Sequence, residues 1–455
     1  MSQNIILVTY DSLRADHCGF MGYDRDTTPA LDRLADDGLV FENATASGVP
    51  TISSMTSVMT GEHSLASPEI GFNDEQREQV TSRPTIAEVL RDEGYDTGAL
   101  SPNPPASSYF GFDSGFEWFE DFLAEDKGVL ERAWNRIFNR SIEGGAAATY
   151  LRLARNVVAR EEVLRPWEDY YEHIRSWREQ AEEPYFLWVL LLEPHHPWLP
   201  PREYRRWSSR WDAYRSFRHY WEMLDSGWTP DFTDREHRRL VDLYDDSIRY
   251  GDEFLARLRE DFAADDPAIV VHADHGEEFG SHDRYGHQPY LTEDLTQVPL
   301  VVSNADREGR VERPVELRSL APTIADLAGA SHSFETESLL GSDADFADAD
   351  SDRDSDVSGD DGESARPSRP WVVSKVFAEG ERRVAVRTRQ GKFVTEPGRR
   401  ELYDLETDPD EQTDLTDENP EAAEAFADAV AHHVASETEK RAIRDAADDL
   451  AGGKL

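Results

Sequence analysis

Acidic and histidine side chains stand where two apolar segments of the chain end. The first segment, Asn4–Tyr10, runs directly into Asp11, and the second, Ala268–Val271, leads to Asp274 and His275. Carboxylate oxygens and imidazole nitrogens are ordinary ligands of divalent metals. A single Asp after a strand is commonly a helix N-cap. Two such strand ends together predict a metal site formed by Asp11, Asp274 and His275.

The elements that must position these residues alternate along the chain. Short apolar runs predict buried strands, and the segments between them have helical patterns that often end at Gly. This alternation predicts an α/β fold with a mixed, mostly parallel central sheet flanked by helices, in which ligands bind at the carboxyl ends of the strands. The predicted strands are Asn4–Tyr10, Tyr185–Leu192, Ala268–Val271 and Pro299–Val302, and the predicted helices are Thr28–Gly38, Arg83–Gly94 and Ser319–Gly329.

Composition divides the chain into a large catalytic domain, a linker and a small C-terminal part. Residues 1–335 form the predicted catalytic domain, which contains a helical insertion rich in Trp, Tyr and Arg at residues 124–228. The aromatic residues of the insertion either fill a core or contact substrate. Residues 342–368 are Asp, Ser, Ala and Gly with almost no large apolar residue, which predicts a disordered acidic linker or loop.

The C-terminal subdomain, residues 369–455, is predicted to combine short antiparallel strands with an acidic helical tail that starts at Pro420. Its pattern changes from the long helical segments of the catalytic domain to short β-type runs. The predicted strands of this subdomain are Trp371–Val376, Arg383–Thr388 and Lys392–Thr395.

The chain is strongly acidic. Its 48 Lys and Arg residues oppose 93 Asp and Glu residues, which gives a formal net charge of −45. Molar salt shortens the Debye length to about 3 Å and screens this self-repulsion. The composition therefore predicts a haloarchaeal-type, halophilic protein of a high-salt cytosol, with an ordinary acidic protein as the alternative. The same charge argues against nucleic-acid and anionic-membrane partners.

Cysteine content and apolar runs predict the compartment. Cys18 is the only cysteine of the sequence, so no internal disulfide can form. The first predicted strand begins at Asn4 and leaves no room for a signal peptide. The longest apolar run, Tyr185–Leu192, is too short to span a bilayer. We therefore expect a cytoplasmic protein without a transmembrane segment.

An ordered set of short motifs covers most of the chain outside the linker and the insertion. The motifs are Asp11–Asp16, Gly22–Asp24, Leu31–Phe41, Ser57–Gly61, Glu193–Trp198, Tyr244–Glu253, Asp274–Gly280, Gly286–His287, Val298–Leu300 and Glu401–Leu405, followed by Glu411. Taken in this order, they resemble the sulfatase family of the alkaline phosphatase superfamily. The resemblance implies an alkaline-phosphatase-like fold and a metal-dependent hydrolase of sulfate or phosphate esters. Its substrate would be a small anionic ester, such as that of a sugar.

The resemblance also implies roles for individual residues. It assigns the metal-ligand role to the three residues identified above, and it places Thr51 at the nucleophile position. His195 and His287 would face the anionic group or the leaving oxygen. Sulfatases of the familiar kind carry Cys or Ser at the nucleophile position, and this residue becomes formylglycine. Thr51 cannot be converted in that way, and Ser53 and Met55 replace the Pro and Arg of the family motif.

A different chemistry is available to a threonine. A Thr hydroxyl becomes an effective nucleophile when a bound metal lowers its pKa. Thr51 would then attack in line, aided by the N–H groups of a helix that begins after it and by a histidine that protonates the leaving oxygen. A threonine sulfate ester would be hard to release without formylglycine, so Thr51 favours phosphorus esters. A simple helix N-cap is the alternative role of Thr51.

Further residues have two interpretations each. Glu193, His195 and His287 would hold a second cation, or Glu193 and His195 simply fix a turn. Arg14 meets the charge of the substrate or pairs with a neighbouring acid. His196 is expected to be a surface or supporting histidine. Two carboxylates and one imidazole suit Ca²⁺, Mg²⁺, Mn²⁺ and Zn²⁺ alike, so the metal stays open between these four.

Two other functions stay open at this point. A phosphodiesterase or phosphotransferase that acts on a glycan or lipid headgroup fits the threonine, but the lack of a predicted membrane segment counts against it. A non-catalytic member that binds an anion or a protein partner fits the loss of the formylglycine motif. The intact metal ligands and Thr51 count against this third function.

Overall fold

The computed structural model describes residues 3–64, 74–121, 166–305, 307–341, 371–378, 380–431 and 433–434. The predicted linker at residues 342–368 lies outside the described residues. So do residues 124–165 of the predicted insertion and the end of the predicted helical tail. The sheet, the strand ends and the first half of the C-terminal part are described almost completely.

Sixteen strands are present in the described residues. In chain order they are β1 (Ile5–Tyr10), β2 (Leu39–Phe41), β3 (Ala44–Thr45), β4 (Asp96–Leu100), β5 (Trp118–Glu120), β6 (Tyr185–Leu191), β7 (Ala268–Ala273), β8 (Glu278–Phe279), β9 (Tyr285–Gly286), β10 (Leu300–Ser303), β11 (Gly309–Val311), β12 (Val315–Glu316), β13 (Val372–Ala378), β14 (Glu381–Arg387), β15 (Gly391–Glu396) and β16 (Arg399–Asp404). The four strands predicted for the central sheet are confirmed as β1, β6, β7 and β10.

The central sheet has eight strands in the order β11-β2-β10-β7-β1-β6-β4-β5. Neighbouring strands run parallel except at β10, which is antiparallel to both β7 and β2. The predicted mixed, mostly parallel α/β sheet is therefore confirmed. Strand β6 is completely buried, as its uninterrupted apolar sequence requires of a central strand.

The register of the three middle strands brings their ends to one edge. Tyr10, the last residue of β1, pairs with Leu191 of β6 and with Ala273 of β7. The residues that follow these strands therefore emerge side by side. This is the edge at which open α/β sheets bind ligands.

Helices cover the sheet and follow the predicted pattern. The three predicted helices are confirmed and are a few residues shorter at their ends, where helices usually fray. Thr85 and Glu88 form a capping box at the start of one of them, with hydrogen bonds of 3.2 and 3.0 Å. The helices are Pro29–Asp36, Thr51–Thr60, Asp74–Thr81, Ile86–Asp92, Glu168–Arg178, Arg210–Asp225, Asp234–Asp261, Glu293–Thr296 and Leu320–Ala328.

The C-terminal part contains a four-stranded antiparallel sheet in the order β13-β14-β15-β16. Its three predicted strands are confirmed, and β16 was not predicted as a strand. Residues 420–431 are helical, as expected for the start of the tail. This sheet packs directly on the larger part, because the Ser374 hydroxyl donates to the Ala46 carbonyl at 2.6 Å and the Lys375 N–H donates to the Ser47 carbonyl at 3.0 Å.

No helix among the described residues combines the length and the apolar character needed to cross a membrane.

Candidate active site

The ends of β1 and β7 bring Asp11, Asp274 and His275 together. All three side chains are completely buried, and one ligand atom from each lies within 4.8 Å of those of the others. His275 Nδ1 is 2.8 Å from the Gly276 carbonyl. A neutral ring that donates from Nδ1 keeps a lone pair on Nε2, and burial lowers the pKa of His275, which favours the neutral ring. The Nε2 atom lies 3.5 Å from Asp274 Oδ2.

The two buried carboxylates fit a divalent cation. Burial raises the pKa of Asp11, and the neighbouring Asp274 raises it further. Asp274 Oδ1 accepts hydrogen bonds from the backbone N–H groups of Ser12, at 3.1 Å, and His275, at 2.8 Å. Asp274 Oδ2 is buried and has no hydrogen-bond partner in the described part of the chain. Adjacent buried carboxylates with an unsatisfied oxygen require compensating positive charge, which a cation would supply.

Thr51 is the first residue of the helix Thr51–Thr60 and lies against this group. Its Oγ1 is 3.2 Å from His275 Nε2 and 3.5 Å from Asn103 Nδ2. The Thr51 side chain makes no cap hydrogen bond, because Pro50 is the N-cap residue of this helix. The helix N-terminus directs partial positive charge to the same place. The hydroxyl is therefore positioned beside the three predicted ligands and at an anion-binding helix end.

Three histidines form a second group around Glu277. One ring nitrogen each from His195, His196 and His287 lies within 4.8 Å of those of the other two. The Nδ1 atoms of His196 and His287 are both 3.2 Å from Glu277 Oε2. Burial alone would raise the pKa of Glu277, but these two rings outweigh it and hold the pKa well below its usual range. The His275 ring connects the groups, with its centroid 4.7 Å from that of His287.

Comparison with known proteins connects this arrangement to a family. A family model described as Sulfatase matches residues 3–330. The chain belongs to the sulfatase family. This membership confirms the family resemblance inferred from the motifs, and it supports an ester hydrolase.

Relatives of this sulfatase-family protein extend over almost the whole chain. An arylsulfatase of Clostridium perfringens is 25% identical, and the match covers 91% of this chain and 90% of that protein. The structure of a phosphonate monoester hydrolase of Agrobacterium radiobacter has a TM-score of 0.67 at 19% identity, covering 95% of this chain and 96% of that chain. The structure of a 2-O GAG sulfatase has a TM-score of 0.64 at 16% identity, covering 96% and 92%. These structures show the alkaline-phosphatase-like fold.

Glu193 and Arg14 were also predicted for the site, and Arg14 contacts the loop of Glu277, because Arg14 Nη1 donates to the Glu277 carbonyl at 3.1 Å. Glu193 is not among the potential metal-ligand groups of the described residues. Burial raises its pKa to about 7, and its charge acts on Tyr10 and Tyr170. Arg14 pairs with Asp16 and Asp294, each at 2.7 Å. The structure thus contains the ion pair with a neighbouring acid that was one of the two roles considered for Arg14.

Sequence reasoning missed two side chains that hold this sulfatase-family site together. Asn103 donates to Asp11 Oδ2 and reaches Thr51 Oγ1. It follows β4, which lies next to β6, so the strand-end rule would have found it had β4 been predicted. Glu277 stands in the same loop as Asp274 and His275, in a motif that the sequence analysis quoted without assigning it a role.

Proposed function

We propose that the protein is a metal-dependent hydrolase of sulfate or phosphate esters in which Thr51 is the nucleophile. The observation that supports this most directly is the position of Thr51 Oγ1, 3.2 Å from His275 Nε2 at a helix N-terminus. Asp11, Asp274 and His275 would hold one divalent cation, with Ca²⁺, Mg²⁺, Mn²⁺ and Zn²⁺ as the candidates. When bound, this cation would lower the pKa of the Thr51 hydroxyl and polarise the ester oxygens.

The residues of the chain support a two-step reaction. Thr51 Oγ1 forms a bond to the sulfur or phosphorus while the bond to the ester oxygen breaks. The histidine group, with His195 and His287 as the candidates, takes up the proton that the Thr51 hydroxyl loses and delivers a proton to the leaving oxygen. Water then attacks the Thr51 ester, which releases the inorganic anion and restores the hydroxyl. Asn103 holds the Asp11 carboxylate and the Thr51 hydroxyl in place by contacting both.

Thr51 favours phosphorus esters over sulfate esters as the natural substrates. A threonine phosphate can be hydrolysed by attack of water in line, whereas release of a threonine sulfate lacks the formylglycine route. A phosphodiesterase or phosphotransferase is therefore the second candidate function. Its acceptor would be water or an alcohol of a glycan.

A second cation is also part of the proposal, with a changed ligand set. His196 joins His195 and His287 in the place first given to Glu193. Glu277 supports two of the rings through their Nδ1 atoms, which is how carboxylates orient metal-binding histidines. Without this cation, the same rings face the anionic group of the ester.

Hydrolysis of 4-nitrophenyl sulfate, phosphate monoester and phosphate diester in concentrated KCl tests the proposal. Each substrate is assayed with each of the four candidate metals, and Thr51→Ala is compared with the unaltered protein. Loss of all activity in Thr51→Ala at retained metal content is the expected result. Turnover that survives in Thr51→Ala would mean that water attacks the ester directly.

A further inference from the structure

Two aromatic side chains lie beside His196 of the histidine group. Tyr220, on the helix Arg210–Asp225, has its ring centroid 5.3 Å from that of His196. Trp228 lies at the same distance of 5.3 Å from His196. Both side chains are only partly buried, so part of each ring is accessible. We call this pair the aromatic platform.

The Trp228 backbone is held in an uncommon conformation. Its φ of 72° lies in the left-handed region, which costs a non-glycine residue on the order of 1 kcal/mol. Its N–H donates to the Met223 carbonyl at 2.6 Å, and its carbonyl accepts the Tyr285 N–H at 2.9 Å. These bonds hold in place the backbone that carries the indole.

Gly286 makes room for the indole. A Cβ added at Gly286 would meet Trp228 Cε3 at 2.6 Å, closer than any real Cβ contact, and the φ of 85° also favours glycine. Gly286 directly precedes His287. The indole thus rests on the backbone that presents His287, and the strain at Trp228 is found beside reacting groups, where backbone strain tends to be concentrated.

A series of contacts connects the platform to the nucleophile. Thr51 Oγ1 lies 3.2 Å from His275 Nε2, the His275 and His287 ring centroids are 4.7 Å apart, and those of His287 and His196 are 4.8 Å apart. The platform follows His196 at the far end of this series. In-line displacement places the leaving oxygen opposite the attacking oxygen. In the proposed function the histidine group serves the leaving oxygen, so the alcohol bound to that oxygen would lie within reach of the platform beside His196.

We propose that Tyr220 and Trp228 bind the organic part of the ester and select alcohols that present a ring face, either a sugar or an aryl ring. This inference rests on the proposed function for the role of Thr51. Aromatic rings bind apolar ring faces through dispersion and burial, and a rigid indole loses little entropy when it does so. A short, ring-free alcohol gains nothing from such a surface. The Trp-rich region, to which Tyr220 and Trp228 belong, would thus have a role in substrate binding.

Equilibrium binding in the Thr51→Ala background tests the platform without turnover. The ligands are the 4-nitrophenyl, glucose-6 and ethyl esters of sulfate and of phosphate, together with the two inorganic anions, titrated calorimetrically against the full chain in concentrated KCl. Trp228→Ala is expected to weaken the binding of the ring-bearing esters about tenfold. The Kd values of the ethyl esters and of the inorganic anions should change by less than about twofold. Comparison of the 4-nitrophenyl esters with the glucose-6 esters shows which kind of ring the platform prefers.

Two further variants make the result specific. Trp228→Phe should keep most of the preference for ring-bearing esters, because a ring face remains. Trp211→Ala is the matched control, since Trp211 is on the helix of Tyr220 but is 58% exposed; it should bind every ligand as before.

An equal loss for all ligands in Trp228→Ala would overturn the proposal, because Trp228 would then act only by holding His287. Ring-bearing esters that bind no more tightly than inorganic anions before the substitution would overturn it as well. Release of 4-nitrophenol by Thr51→Ala would instead refute the nucleophile assignment, so the two failures are distinguishable.

Discussion

The residues of the site are arranged so that buried polar atoms support one another and leave selected atoms open. Ser12 has a left-handed φ of 67°, and this turn lets its hydroxyl donate to Asp11 Oδ1 at 2.9 Å while its N–H donates to Asp274. Asp274 Oδ2 has no hydrogen-bond partner among the described residues, and His275 Nε2 faces Thr51 Oγ1 at 3.2 Å. Strain at Ser12 is thus coupled to the orientation of both carboxylates.

Asn103 is the first residue whose substitution tests this arrangement. Asn103→Ala removes the donor to Asp11 and the contact to Thr51, so we expect metal affinity and kcat to fall by about 10- to 100-fold, as for other residues that orient metal ligands. Metal titration followed by steady-state kinetics measures both. Ser107→Ala, four residues further along the chain, is the control. Unchanged metal affinity and kcat in Asn103→Ala would show that Asn103 has no orienting role.

Glu193 gives a pH-dependent prediction. Its pKa is raised to about 7 by burial, above that of an unfolded glutamate, so the folded state binds a proton that the unfolded state has already lost. Glu193 should therefore make the free energy of unfolding fall by on the order of 1 kcal/mol as pH rises from about 5 to about 7, and the total fall should be smaller by that amount in Glu193→Gln. Urea denaturation at both pH values measures it. Parallel pH curves for the two proteins would contradict the assignment.

At the scale of elements, a short helix connects the C-terminal sheet to the metal-ligand loop. Within Glu293–Thr296, the Leu295 carbonyl accepts the Gly276 N–H at 2.9 Å, one residue after His275. The other end of the helix is tied to β15, because Lys392 Nζ lies 2.9 Å from both Glu293 and Glu411. Glu411 belongs to the C-terminal family motif, so the motif contributes to this contact.

Lys392→Met tests this connection. Lys392 is 1% exposed, and its removal leaves two buried carboxylates without their shared cation, which should cost about 3 kcal/mol of stability. We also expect weaker metal binding by the folded protein, since the helix that holds Gly276 loses its anchor. Arg399→Met is the control, because Arg399 is 62% exposed and such ion pairs contribute little. If folded Lys392→Met binds metal with normal affinity, Lys392 contributes to the stability of the fold and not to metal binding.

Some strands of the structure could be predicted from the sequence, and others could not. β1, β6, β7 and β10 are mostly apolar runs, so both the sheet and the positions of Asp11, Asp274 and His275 at the ends of β1 and β7 were predictable. β4 was missed because its sequence, Asp96–Leu100, begins with Asp, Thr and Gly, and Asn103 was missed with it. β16 was missed because it is rich in charged residues. Its strand conformation depends on pairing with β15, which is a tertiary effect.

The distance between Glu193 and the histidine group could not be read from spacing. Glu193 and His195 are two positions apart, which suggested a shared site. The His195 N–H instead bonds the Leu192 carbonyl at 2.8 Å in a turn. Glu193 does not belong to the histidine group of the described residues, while His196, which was expected to be a surface or supporting residue, does.

For the whole molecule, the net charge of −45 sets the conditions under which the fold is stable. We propose that the protein is adapted to high salt. Its Tm should rise as KCl increases from about 0.1 M to about 1 M, because the Debye length shortens from about 10 Å to about 3 Å and screens the repulsion. Differential scanning calorimetry measures the shift, and sucrose at equal osmolality is the uncharged control. A Tm independent of KCl would indicate an ordinary acidic protein.

The most direct test of the central claim is to look for a covalent group on Thr51 during turnover. The metal-loaded protein is mixed with 4-nitrophenyl phosphate or 4-nitrophenyl sulfate, quenched within the first turnover and digested for peptide mass spectrometry. The account predicts a phosphoryl or sulfuryl group on the Thr51 hydroxyl, formed as 4-nitrophenol is released and lost as turnover ends. Release of 4-nitrophenol over many turnovers with Thr51 unmodified at every quench time, and unchanged release by Thr51→Ala, would contradict it.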